Sequence, residues 1–499
     1  MLKINFYIIF MNISLIFCYV YIVSIFLICI IMKISKNKNF REEYCASIVK
    51  IGEILPIEGK DRIAKTMVNG LSIVIGKTEY NTGDVAVYVS NECVIHELFL
   101  HLNNMYDDKE LNANKEERGY INNKGRVRLI RLGGVPSFGI LLNPKSIALF
   151  LNESVESVTK FLESHVGEDF DEINGERFCH VYVPPTSNNG HGKQLTKEER
   201  LAKKLRRFKM LIEGSFRRHY DTQQLAKNIH RVDADTEVDI SVKVHGTSAI
   251  FANILTNIPT PWYKRFWRKY ITKKHEYDQK YNLVYSTRNV IKNEFINPNA
   301  TLGYYSDDVW GYWAGKLEGL IPKDVCIYCE IAGFNPKGSN IQHSGSGVPF
   351  DYGCDNSATE KSKLLVYRVT KDNKELEIED VIEFGQMLKE KLGDIVMDFP
   401  ILYHGTLGAL YPNIPIDESW HDNVLEALKN DVEHFGMEQD EPLCNNKVPR
   451  EGFVLRICND PVPEAFKLKC VKFFDDEKKK MDNGEVDAEM TEGYDAEEA

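Results

Sequence analysis

The sequence lacks a G-x-x-x-x-G-K-[ST] loop, so the glycine-rich phosphate cradle of the P-loop nucleotidases is not indicated. It also lacks a cysteine framework. Eleven Cys are scattered through 499 residues with one C-x-x-C, Cys326-Ile327-Tyr328-Cys329, and neither a second pair nor a spaced His completes a zinc tetrad. That usage excludes a disulfide scaffold and fits a reducing compartment. Both cysteines read as part of the strand that carries Glu330. Charge is missing altogether from Ile4 to Met32, a run long enough to cross a bilayer, for which about 20 apolar residues suffice. No small-residue cleavage site follows, and Lys33, Lys36 and Lys38 place the rest on the cytoplasmic side. Two readings of residues 1–39 stand, a membrane anchor or a mis-called start with Met32 as the true one.

The net charge of -11 is unevenly spread. From Asp475 to Ala499 there are 11 acidic residues against 3 Lys, a net of -8, which leaves about -3 for everything before. Residues 475–499 lack apolar periodicity and are expected to be a disordered acidic tail. The remainder, in a chain with 43% hydrophobic residues, suffices for two cores. Residues 40–150 read as a small β domain, with β-branched runs at 46–51, 71–75 and 85–89 separated by Gly and Asp turns. In Arg126-Val127-Arg128-Leu129-Ile130-Arg131-Leu132 cationic and apolar residues alternate, so Arg126, Arg128 and Arg131 either line a nucleic-acid groove or form a solvated strand face. Residues 151–200 read as a linker and insert, and 201–474 as a second domain with helices at 379–391 and 422–435. Basic clusters occur at Lys203–Lys209, including Arg206 and Arg207, and at Trp262–Tyr270, where aromatics interleave with Lys and Arg. Such a pattern suits phosphate contact and stacking, or an amphipathic helix with its rings packed inward.

The rest is organised around Ser241-Val242-Lys243-Val244-His245-Gly246-Thr247-Ser248. A β-like run from Glu237 delivers Lys243 to a pocket mouth, and Gly246 permits a tight approach of the backbone. A Lys there suits covalent chemistry once its proton is removed. In fixed order follow Ser286-Thr287-Arg288-Asn289, the strand around Glu330, Leu365-Val366-Tyr367-Arg368, Glu451-Gly452-Phe453-Val454 and Phe466-Lys467-Leu468-Lys469. Lys467 and Lys469, two apart on a strand, present both amines to one face.

This series resembles the covalent nucleotidyltransferases, the superfamily of ATP-dependent RNA and DNA ligases and capping guanylyltransferases, and Lys-x-His-Gly-Thr looks like its RNA-ligase branch. The β domain looks like the N-terminal OB-type domain of Deinococcus-type RNA ligases, with Glu58–Arg62 as a strand-connecting turn. The resemblance implies an α+β fold: an OB-type β-barrel, then a nucleotidyltransferase (ATP-grasp-like ligase) domain of antiparallel sheets flanked by helices. It implies that Lys243 attacks the α-phosphorus of ATP, with His245 either a catalytic residue beside it or a structural one whose hydrogen bond shapes the loop. Lys467 and Lys469 would clamp phosphate and lower the pKa of Lys243. Glu330, Arg288, Asn289 and Tyr367 would hold the nucleotide, and Glu451 a Mg²⁺ or Mn²⁺ ion. The implied partner is RNA with 3′-OH and 5′-phosphate ends, nicked duplexes included, and the enzyme is expected to be monomeric. One departure concerns the base: Val242, not Glu, precedes Lys243, so ATP over GTP rests on the resemblance. A capping guanylyltransferase, a DNA ligase and an inactive nucleic-acid-binding protein are the alternatives.

Overall fold

The computed structural model describes residues 32–38, 40–183, 211–212, 214–219, 222–258, 260–288, 290–293, 307–458 and 464–485. The uncharged run up to residue 31, the insert 184–210 with Arg206 and Arg207, Asn289 and residues 486–499 lie outside them. Among the described residues no helix is long and apolar enough to cross a membrane. They divide into two compact units, one drawn from Met1–Val68 and Ser72–Tyr182, the other from Asn69–Leu71 and Val183–Ala499.

In the first unit, β1 (Ala46–Lys50), β2 (Val85–Ser90), β3 (Gly139–Leu142) and β4 (Asp169–Phe170) form an antiparallel sheet in the order β3-β2-β1-β4. Every residue of β2 is buried, as its unbroken apolar character requires of a strand covered on both faces. Leu55–Ile57 pairs with Lys60–Val68 across the expected turn at Glu58-Gly59. Helices α1 (Pro144–Leu151) and α2 (Val155–Ser164) begin at side-chain caps from Asn143 and Ser154. The stretch read as a linker from 151 is therefore corrected. Val158 and Leu162 of α2 and Phe170 of β4 are buried in the same core as Ile48 and Val87, so the chain as far as Tyr182 belongs to this unit.

Arg126 is corrected as well. Only Ile130–Leu132 of its segment is a strand, and Arg126 is buried, with its Nε donating to Glu92 at 2.6 Å and its guanidinium lying 4.8 Å from the Tyr182 ring centroid. It does not line a solvent-facing groove. Arg128 is half-buried and Arg131 exposed.

The second unit holds two five-stranded sheets. Its strands are β5 (Gln223–Gln224), β6 (Glu237–Val242), β7 (Thr247–Ile258), β8 (Asp278–Ser286), β9 (Val325–Gly333), β10 (Ser362–Lys371), β11 (Lys374–Glu375), β12 (Ile401–Thr406), β13 (Gly452–Ile457) and β14 (Ala465–Lys469). The first sheet runs β5-β14-β13-β6-β12, antiparallel except for the β5–β14 pair. The second runs β8-β7-β9-β10-β11, antiparallel throughout. On one face of the second sheet, Phe251, Ile327 and Cys329 pack under α4 (Val309–Leu317) and α5 (Ile378–Leu392); on the other, Ile250, Cys326 and Tyr328 pack beneath Leu211 and Phe216. Three residues apart on a strand, Cys326 and Cys329 face opposite ways and cannot share a metal.

The first sheet shares its core with α6 (Trp420–Asn430) and α7 (Val471–Asp482). Disorder expected from residue 475 is thus corrected: α7 continues to Asp482, because Phe473 is buried and both carboxylate oxygens of Asp476 accept from the Gly345 amide at 2.9 Å. Between β7 and β8 stands α3 (Trp262–Phe266), continued by a π-helix over Trp267–Thr272, and its rings point outward rather than into a core.

Candidate active site

Lys243 leaves β6 between two buried anchors, Val242 and Val244, and its amide donates to the Gly452 carbonyl at 3.0 Å. That bond ties the strand end to β13, just after Glu451. The Lys243 ammonium then lies 3.0 Å from Glu451 Oε1. His245 approaches from the other side, its Nδ1 3.4 Å from Glu451 Oε2. Its ring is held edge-on by Phe350 and Phe473, with centroids at 4.7 and 5.0 Å. The His245 amide donates to the Tyr352 hydroxyl at 2.7 Å. Tyr352 takes φ of +46°, unusual for a bulky residue, so the support of this loop is itself conformationally constrained.

Gly246 is there for closeness, since a Cβ at this position would collide with the Ile331 carbonyl. The approach lets the Gly246 amide donate to Glu330 Oε1 at 3.0 Å while its carbonyl accepts from Gln342 Nε2 at 3.1 Å. Glu330 lies opposite Ser248 in the β7–β9 register, so one loop joins the nucleophile candidate to the second sheet.

On β14 the burial alternates as expected: Phe466 and Leu468 face the core while Lys467 and Lys469 share the half-buried face. Lys469 Nζ is 3.6 Å from Glu451 Oε1 and 2.9 Å from Glu477 Oε1. Lys467 is opposite Val454, two register pairs from Gly452 and Lys469. Arg288 is half-buried two residues beyond β8. Tyr367 is the extra residue of a bulge in β10, its ring 5.6 Å from that of His219.

Electrostatically Glu451 is the hub. Burial opposes its charge, but Lys243, His245 and Lys469 hold its carboxyl well below the usual range. For Lys243, burial and Lys469 both favour the neutral amine, yet Glu451 and Glu330 outweigh them and its pKa rises. Lys469 thus lowers the Lys243 pKa as expected, but the two glutamates prevail, and in this state of the site Lys243 is an ammonium ion. Glu451 Oε2 and His245 Nε2 are buried without a hydrogen-bond partner. An unsatisfied carboxylate oxygen beside two ammonium groups suits a hard divalent cation whose other positions are filled by phosphate oxygens and water, so the donor set fits Mg²⁺ or Mn²⁺.

The site thus brings Lys243, His245, Glu330, Glu451 and Lys469 together. Tyr352, Gln342, Phe350, Phe473 and Glu477 were missed by sequence reasoning. Nothing in their spacing marks them, because each reaches the site through a loop or helix whose path depends on tertiary packing.

Residues 45–144 match the model of a family described as an OB-fold domain. No curated protein matches the chain. Among solved structures, a lysine-to-alanine variant of Naegleria gruberi RNA ligase with ATP and Mn superposes with a TM-score of 0.51 at 18% identity, covering 87% of this chain and 99% of that one. The same ligase with PPi gives 0.50 at 17% identity, with coverages of 87% and 99%. The chain accordingly has an α+β fold in which an N-terminal OB-fold domain precedes a mixed sheet-and-helix domain like that of this RNA ligase.

Proposed function

We propose that this protein is an ATP-dependent RNA ligase of the Deinococcus type that seals 3′-OH/5′-phosphate RNA ends, nicks in duplexes included. The observation that carries the reading is the convergence of Lys243, Lys469 and His245 on the buried Glu451, with Glu330 bonded to the backbone three residues after Lys243. Lys243 Nζ, once neutral, attacks the α-phosphorus of ATP; the P–N bond forms as the bond to pyrophosphate breaks. AMP then passes to the 5′-phosphate of RNA, and attack by the 3′-hydroxyl releases it.

Lys467 and Lys469 neutralise phosphate charge, Glu330 and Arg288 hold the ribose, and Tyr367 lies beside the base. Glu451 holds the divalent cation, which supplies charge neutralisation at the phosphates. Any engagement of Glu451 away from Lys243 removes the largest charge that keeps this amine protonated, so nucleotide loading and nucleophile activation are coupled through one carboxylate.

The test is incubation with α-labelled ATP or GTP and Mg²⁺ or Mn²⁺, then denaturing electrophoresis beside Lys243→Ala. Label from ATP that survives denaturation and is absent from the variant is expected. Sealing of a nick with an RNA 3′ end in preference to a DNA end then separates RNA from DNA ligation. Label from GTP alone would move the reading to capping, and no label in folded protein would end it.

A further inference from the structure

We propose that the helix Trp262–Thr272 is an interfacial anchor that seats this domain on an anionic lipid surface. In sequence, Trp262-Tyr263, Phe266-Trp267 and Tyr270-Ile271 alternate with Lys264-Arg265, Arg268-Lys269 and Thr272-Lys273. The period is four residues. An α-helix turns every 3.6 residues and drifts off such a pattern; a π-helix, closed by i→i+5 bonds, takes more residues per turn. The change from α-helix at Trp262–Phe266 to π-helix at Trp267–Thr272 offsets one drift with the other, keeping the three apolar pairs on one stripe.

That stripe is bare. Trp262 is 77% exposed and Trp267 59%, and Tyr263, Phe266, Tyr270 and Ile271 are exposed with them. Six large apolar side chains facing water on one short helix need an occupant. Its charge is complementary to the helix: from Pro261 to His275 there are six cations and no acid. Tryptophan and tyrosine with flanking lysines are the side chains that settle at the boundary between headgroups and acyl chains.

RNA fits this surface less well. The guanidinium groups best suited to phosphate are already committed, Arg265 to Glu276 and Arg268 to Asp278, leaving Lys264, Lys269, Lys273 and Lys274 without an ion pair among the described residues. Ile271 cannot stack on a base. The helix also lies at the far end of β7, which starts four residues after Lys243 and runs for 12 residues, roughly 35 Å of strand away from the candidate nucleophile.

The experiment uses the full chain and vesicles of phosphatidylglycerol with bromine-labelled acyl chains. Bromine quenches tryptophan on contact, and Trp310, Trp313 and Trp420 are buried, so quenching reports Trp262 and Trp267. Expected are strong quenching with anionic vesicles, little with phosphatidylcholine vesicles, and loss of the effect in Trp262→Phe/Trp267→Phe. Lys269→Glu/Lys273→Glu should lower partitioning by more than about tenfold at low salt, since each lysine near an anionic surface contributes about a fivefold factor. Its urea midpoint, unchanged at exposed positions, verifies folding. Unquenched tryptophans, or quenching that ignores both lysine substitutions and lipid charge, would overturn the proposal. So would protection of Trp262 and Trp267 by single-stranded RNA without any response to vesicles.

Discussion

Replacing Glu451 by Gln keeps the shape of the hub and removes its charge. Its side chain is 3% exposed, with Lys243 Nζ at 3.0 Å and Lys469 Nζ at 3.6 Å. In the variant two ammonium groups face an uncharged amide. Removing one member of a buried pair costs about 3–5 kcal/mol. Lys243 and Lys469 retain 26% and 18% exposure, and Lys469 keeps Glu477 at 2.9 Å, so both hydrate in part. That places the expectation at the low end, about 3 kcal/mol.

All five tryptophans belong to the second unit, so urea unfolding followed by tryptophan fluorescence reads that unit alone. The sign with pH is fixed by the depressed Glu451 carboxyl. Its contribution is full above the ordinary carboxylate pKa of about 4.3 and fades as pH falls toward the folded value. The gap between wild type and Glu451→Gln should therefore narrow in acid. Adding Lys243→Met to the variant should recover part of the loss, because it removes one uncompensated cation. Equal stability of wild type and Glu451→Gln at pH 7, or no recovery in the double variant, would refute the hub.

Three further outcomes are expected. Gly246→Ala should cost about 1–3 kcal/mol in the same assay and abolish ATP labelling, since the loop must retreat from Ile331 and release Glu330. In the first unit, Glu92→Gln strands the Arg126 guanidinium and should destabilise by about 3 kcal/mol, read by hydrogen exchange of β2 amides; an unchanged protection pattern would make that pair dispensable. His404, half-exposed and 2.8 Å from Asp239, has its pKa raised chiefly by that hydrogen bond, so the pair stabilises below about pH 6.5 and its contribution is lost as pH rises through the folded value. The effect, screened by solvent, should stay under about 1 kcal/mol and disappear in His404→Gln.

What the sequence disclosed follows periodicity and local chemistry. The alternation of Phe466, Lys467, Leu468 and Lys469 predicts their faces correctly, since a strand has only two. The placement of Lys243 at a strand end and of Glu330 within a strand was equally legible. Arg126 misled because alternation of charged and apolar residues does not distinguish a solvated strand from a loop whose Arg turns inward to a buried Glu92, 34 residues away. The acidic tail misled in the same way: composition argues for disorder from residue 475, but Asp476 caps the backbone of Gly345, a contact 131 residues away. His245 posed the converse difficulty, because its aromatic supports Phe350 and Phe473 come from chain segments that no local pattern connects to it.

The order of strands in the first sheet bears on how the protein is made. β13 lies between β6 and β14, and it brings Glu451 to Lys243 from 208 positions further along the chain. At synthesis rates of about 5–20 residues per second, the ribosome emits the nucleophile candidate roughly 10–40 s before its counter-charge. During that interval β6 lacks the partner that ties its end down, and Lys243 has neither Glu451 nor Lys469 beside it. The nascent chain therefore carries Lys243 as an ordinary lysine, and the nucleotide uptake proposed for it would arrive as a late, all-or-none property of the finished sheet.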